Sequence, residues 1–184
     1  MRVIAGSARR LRLVTPAGID TRPTQDIIKE TLFNILQPYV QGAVMLDLCA
    51  GSGSIGIEAL SRGAKRAYFV ENGREAYACI QKNLHTTHLE DKAVLMRMDA
   101  RNALTRIHEK EIDLIYMDPP YEAQTVHDLL RLLPQQPYVT EDTLIIVETS
   151  LTSDFSYLPE CGLTVVREKD YRTNRHLFIR RTPK

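Results

Sequence analysis

The sequence predicts an α/β fold: a Rossmann-like, doubly wound, mostly parallel seven-stranded sheet with an antiparallel C-terminal hairpin and a small N-terminal β-hairpin plus helix. Three observations point there. From residue 43 onward, short apolar runs alternate with amphipathic stretches. The runs, AYFV and DLIYM among them, are apolar without a break, as expected when helices cover both sheet faces. A glycine-rich turn, GSGSIG at Gly51 to Gly56, follows the first run. The 184 residues suffice for one domain, with residues 1–38 as an N-terminal extension.

RVIAG and RRLRLV, residues 2–6 and 9–14, predict two short strands joined by a turn, with Arg10 and Arg12 leaving on one face. In TRPTQDIIKETLFNIL, Thr24 suits an N-cap and Asp26 the positive first turn. Ile28, Leu32, Ile35 and Leu36 form one apolar stripe, and Pro38 is expected to end the helix. Strands are predicted at 43–48, 66–71, 93–98, 112–117 and 143–149, and helices at 54–62, 73–85, 100–108 and 123–133. Right-handed strand–helix–strand connections make such a sheet parallel. Two further strands, near 162–168 and 176–181, have no helix between them and should pair antiparallel at one edge.

Apolar content of 43% against 26% charged residues places the chain among globular proteins. No apolar run approaches the roughly 20 residues of a membrane span, and MRVIAGSARRLRL lacks the apolar block of a signal peptide. A cytoplasmic monomer without membrane contact is expected. Cys49, Cys79 and Cys161 are scattered and read as free thiols. His85 and His88 could share a helix face, but no cysteine joins them, so no metal is expected. The net charge of +1 conceals a division: residues 1–22 carry +4, residues 167–184 carry +5, and the middle carries −8. Basic ends on an acidic middle suggest a polyanion docked by the termini.

GSGSIG alone fits either a dinucleotide or a nucleoside. Asp47, four residues before Gly51, decides between them. A carboxylate there repels a pyrophosphate but suits S-adenosylmethionine, whose ammonium and sulfonium are positive. Glu71 closes the second strand, placed to accept from two ribose hydroxyls, and Asp99 closes the third, placed to accept from an adenine amine. Each acid alone could be a turn or helix cap; three at successive strand ends make adenosylmethionine the better reading than NAD. The candidate cofactor-binding set is Asp47, Ala50, Gly51, Ser52 and Gly53, with Glu71, Asn72, Asp99, Ala100 and Asp118.

The fourth strand runs into Asp118, Pro119, Pro120 and Tyr121. Two prolines stiffen the turn and leave the carbonyls of Asp118 and Pro119 free to accept from a planar amine, while Tyr121 offers a face for a base. These four residues are the catalytic candidates. Asp118 is the main one, stabilising charge that builds on the amine.

The D-P-P-Y stretch resembles the motif of methyltransferases that act on exocyclic amines of nucleobases. With MRVIAG, TRPTQDIIKETLFNIL, LDLCAGSGSIGIEALSRGA and VEN, the chain resembles the bacterial RsmD family over residues 1–121. Beyond that the match loosens: YRTNRHLFIRR has Arg172 where family members commonly have glycine. The resemblance implies a class I S-adenosylmethionine-dependent methyltransferase that modifies the N2 amine of a guanine in small-subunit (16S) ribosomal RNA, leaving S-adenosylhomocysteine, with an assembling small subunit as partner. Adenine N6 as the target is the alternative, which the D-P-P-Y motif does not separate. RNA contacts are expected from Arg9, Arg10, Arg12 and Arg22, and from Thr24, Lys29, Asn34 and Tyr121.

Overall fold

The computed structural model describes residues 1–17, 23–119 and 123–183. Twelve principal elements follow in chain order. They are α1 (Pro23–Val40), β1 (Val44–Asp47), α2 (Ser54–Ser61), β2 (Arg66–Val70), α3 (Arg74–Thr87), β3 (Ala93–Met96), α4 (Ala100–Leu104), β4 (Leu114–Met117), α5 (Ala123–Leu132), β5 (Leu144–Ser150), β6 (Leu163–Asp170) and β7 (Asn174–Arg181). The sheet has seven strands in the order β3-β2-β1-β4-β5-β7-β6. β1 to β5 pair in parallel, and β7 lies antiparallel between β5 and β6. Strand order reverses between β1 and β4, so their carboxyl ends open a crevice where such sheets take ligands.

The unbroken apolar runs become strands covered on both faces. β1 and β4 are buried along their whole length. One core, containing Leu32, Phe33, Leu36, Ile57, Leu60, Phe69 and Ile80, lies under α1, α2 and α3. The other, with Leu104, Ile115, Leu129, Leu130, Tyr138 and Val147, lies under α4 and α5. Gly56 lets α2 lie close on the sheet: a Cβ there would stand 2.4 Å from the Phe69 ring. Among the described residues, no helix is long and apolar enough to cross a membrane.

Two local expectations change. α1 runs through Pro38 to Val40. In its last turn the proline removes a single amide, which would have reached the exposed Asn34, so the helix need not stop. The N-terminal segment is a hairpin, but its ladder is the single bridge Arg2–Arg12 rather than two strands. Arg10 has φ 74°, which breaks the alternation predicted for Arg10 and Arg12. The reason is that the segment bonds to α2 instead of extending. The Ile4 and Ala5 amides donate to the Glu58 carboxylate at 2.8 and 3.0 Å, and the Ala8 amide donates to Ser61 Oγ at 3.0 Å.

Glu58 is fully buried. Its carboxylate also takes Arg62 Nε at 2.8 Å and faces Lys29 Nζ at 3.5 Å. Lys29 donates to the Arg2 carbonyl at 2.7 Å and is only 3% exposed. Burial lowers its pKa, which the Glu58 and Asp26 charges offset in part. A buried carboxylate thus ties α1, α2 and the hairpin together. Removing it strands the Lys29 charge and two amides. Glu58→Ala is therefore expected to cost about 3–5 kcal/mol in urea unfolding; a loss below about 1 kcal/mol would show that the hub is not structural.

Candidate active site

The carboxyl ends of β1 and β4 border a cavity of about 280 Å³ lined by Asp47, Cys49, Gly51, Ser52, Lys29, Tyr116, Asp118, Glu148 and His176, among others. Met1, Thr15 and Pro16 form part of its wall, so the N-terminal hairpin adjoins the crevice.

Strand register explains which side chains gather. Asp47 pairs with Tyr116 across β1–β4, and Glu148 pairs with His176 across β5–β7. Met117 pairs with Val147, so Asp118 and Glu148 follow side by side on adjacent parallel strands. Because side chains alternate along a strand, Asp47, Tyr116, Asp118, Glu148 and His176 share one sheet face.

Asp47 is 1% exposed, and among the described residues neither carboxylate oxygen has a hydrogen-bond partner. Burial raises its pKa to about 7. The Gly56 and Cys49 amides lie near and oppose this, though too loosely placed to form hydrogen bonds, while the Asp118 and Glu71 charges add to it. Such a group is a ready seat for a cation. Glu71 is held between two amides, accepting from Gly51 N at 2.9 Å and Gly73 N at 2.7 Å. Each of its oxygens keeps a lone pair for another donor. The Gly51 turn, which Glu71 holds, has φ 54°. Asp118 stands at the exposed mouth of the cavity. The surrounding protein, and next the Glu148 charge, raise its carboxyl above the ordinary range.

These residues fit adenosylmethionine. An unpartnered buried carboxylate, with more acids around it, can hold a cationic amino-acid tail, whereas a pyrophosphate would meet like charge. Cys49 offers no nucleophile, since burial and the neighbouring carboxylates push its thiol up to about 12.

The remaining candidates divide between the cavity and its surroundings. Asp99 is an exposed N-cap of α4, accepting from Asn102 N at 3.0 Å and from its side-chain amide. It does not line the cavity, and neither does Ala100. Asn72 is exposed beside Glu71, and Ala50 lines the cavity with Gly51 and Ser52. Pro119 is buried; Pro120, Tyr121 and Arg22 lie outside the described residues. Thr24 falls inside α1 rather than before it. Arg9, Arg10, Arg12 and Asn34 are exposed. Lys29 is corrected: buried against Glu58, its ammonium is not presented to an RNA phosphate. The C-terminal charge is partly spent internally, with Arg175 on Glu168 and Asp170, and Arg181 on the Val139 carbonyl.

Sequence reasoning missed Glu148, Tyr116 and His176. The Tyr116 hydroxyl donates to Glu148 Oε2 at 2.6 Å, and His176 Nε2 lies 3.0 Å from the same oxygen. The available signal was an acid at the end of the fifth strand, matching those at the ends of earlier ones.

Asp47 holds its proton in the folded state to a higher pH than in the unfolded chain. Its contribution to stability is present at low pH and lost as pH rises through about 7. Ligand-free Asp47→Asn is expected to gain on the parent by about 2–3 kcal/mol more at pH 8 than at pH 5, the pH-dependent part of the gain vanishing only below about pH 4. Thermal melts at the two pH values check this; equal differences at both would show that Asp47 carries no such strain.

Comparison with known proteins agrees with this geometry. The family described as Conserved hypothetical protein 95 matches residues 1–180. The Bacillus subtilis protein YlbH is 42% identical over 175 residues, covering 93% of this chain and 94% of its own. The Escherichia coli K12 protein named ribosomal RNA small subunit methyltransferase D is 34% identical, covering 92% and 84%. The solved structure of Escherichia coli yhhF superposes with a TM-score of 0.85 at 31% identity, over 98% of this chain and 97% of that one. Unbroken coverage from the hairpin through the C-terminal strands shows that the chain belongs to the family of ribosomal RNA small subunit methyltransferase D.

Proposed function

We propose that this protein transfers a methyl group from S-adenosylmethionine to ribosomal RNA of the small subunit, and that the acceptor is the N2 amine of a guanine. The observation that carries the reading is Asp47, a buried carboxylate without a partner among the described residues, in one cavity with Asp118. Relatives named ribosomal RNA small subunit methyltransferase D support the substrate class.

Asp47 would hold the cationic tail of the cofactor, and Glu71 the ribose hydroxyls with its remaining lone pairs. The cofactor supplies an electrophilic methyl on sulfonium. Guanine N2 is a weak nucleophile because its lone pair is delocalised into the ring. Asp118 and the Pro119 carbonyl would accept its two hydrogens, hold the nitrogen in line with the methyl and stabilise the positive charge that develops. The raised Asp118 carboxyl is well matched to taking a proton near neutral pH. A duplex hides N2, so the base must be unpaired or flipped, with Tyr121 assigned to stack on it. Exposed Arg9, Arg10 and Arg12, which form no ion pair among the described residues, would contact phosphates beside the crevice.

Asp118→Ala is expected to cut turnover on small subunits that lack the modification by about 100-fold or more. Adenosylhomocysteine affinity should change by less than about tenfold. Unchanged turnover would remove Asp118 from the mechanism. Replacing Arg10 and Arg12 together with Ser is expected to weaken RNA binding and reduce its salt slope by about 1–2. An unchanged slope would place the RNA on another face.

A further inference from the structure

Glu148 has no part in the steps above, yet its carboxylate is firmly anchored at the cavity. Three donors hold its carboxylate: Tyr116 from β4 at 2.6 Å, and Asn174 and His176 from β7, the latter at 3.0 Å. His176 is fully buried and has its other ring nitrogen 3.0 Å from the Tyr171 hydroxyl. The ring is thereby fixed between the Tyr171 hydroxyl and Glu148. A carboxylate has about four lone-pair sites. Among the described residues two on Oε2 are used and one on Oε1, so one on Oε1 is left. The side chain is 22% exposed at the cavity, beside Asp118 in register. Burial alone would raise its pKa, but hydrogen bonds from His176, Tyr116 and Asn174 outweigh burial and hold it below the ordinary range. A rigid, ionised acceptor with one vacancy therefore stands next to the acceptor of the target amine.

We propose that Glu148 reads the target base: its carboxylate accepts the N1–H of guanine beside the N2 amine and so selects guanine over adenine. Guanine presents N1–H and N2–H as adjacent donors, matching two adjacent carboxylates. Adenine presents an amine beside an N1 lone pair, which an anion repels. This inference rests on the guanine-N2 reading and supplies the discrimination that the D-P-P-Y motif lacks.

The test uses small subunits reconstituted with either guanine or 2-aminopurine at the position the wild-type enzyme methylates. 2-Aminopurine keeps the amine but has a lone pair at N1. The wild type is expected to prefer guanine by about 10- to 100-fold in kcat/KM. In Glu148→Gln, whose amide can donate to that lone pair, the ratio should fall to within about threefold of unity. An unchanged ratio, or an equal loss on both substrates, would overturn the assignment. Adenosylhomocysteine binding checks that the variant is folded. Should it fail that check, Asn174→Ala loosens the carboxylate without removing it and is expected to lower the ratio about three- to tenfold; an unchanged ratio there also overturns the assignment. Absence of N2-methylguanine in the wild-type reaction would instead sink the parent reading, and this one with it.

Discussion

The site depends on a carboxylate left unsatisfied. Asp47 lies at the reversal point of the sheet, buried, with no donor on either oxygen among the described residues. Leaving a buried polar group unpaired costs stability that elsewhere would be recovered by a hydrogen bond. Here the cost maintains a vacancy of defined charge. The Gly51 turn and Glu71 are set around it by amide bonds that keep the backbone in place before any ligand arrives. Acids collected at one cavity exclude anionic ligands and favour a cation, so the glycine-rich turn serves a nucleoside without a pyrophosphate.

A second buried acid links recognition to that seat. Glu58 belongs to α2, the helix that starts from the glycine turn, and it holds the amides of the N-terminal hairpin and the ammonium of Lys29. The arginines proposed to meet RNA are therefore fastened to the element that follows the cofactor turn. The cost of ordering the hairpin is borne in folding rather than on RNA binding, which favours pre-organised recognition.

Much of the fold was legible because the signals were local. Unbroken apolar runs, glycines and caps located every sheet strand and helix within a few residues. The misreadings have a common physical origin in tertiary contacts. Lys29 looks like a surface lysine until Glu58, twenty-nine residues away, claims it. Arg10 looks like part of an alternating strand until the hairpin is drawn onto α2 and its backbone turns left-handed. Glu148 was hidden because its importance comes from register with Asp118 and His176, which no single stretch of sequence displays.

Calorimetric titration with adenosylhomocysteine between pH 6 and 8, in buffers of different ionisation enthalpy, tests the central claim most directly. If Asp47 is the cation's seat, binding must ionise it, so affinity should weaken toward pH 6 and protons should be released near neutrality. Asp47→Asn should abolish both effects. Binding of equal strength across this range, with no proton exchange, would contradict the account.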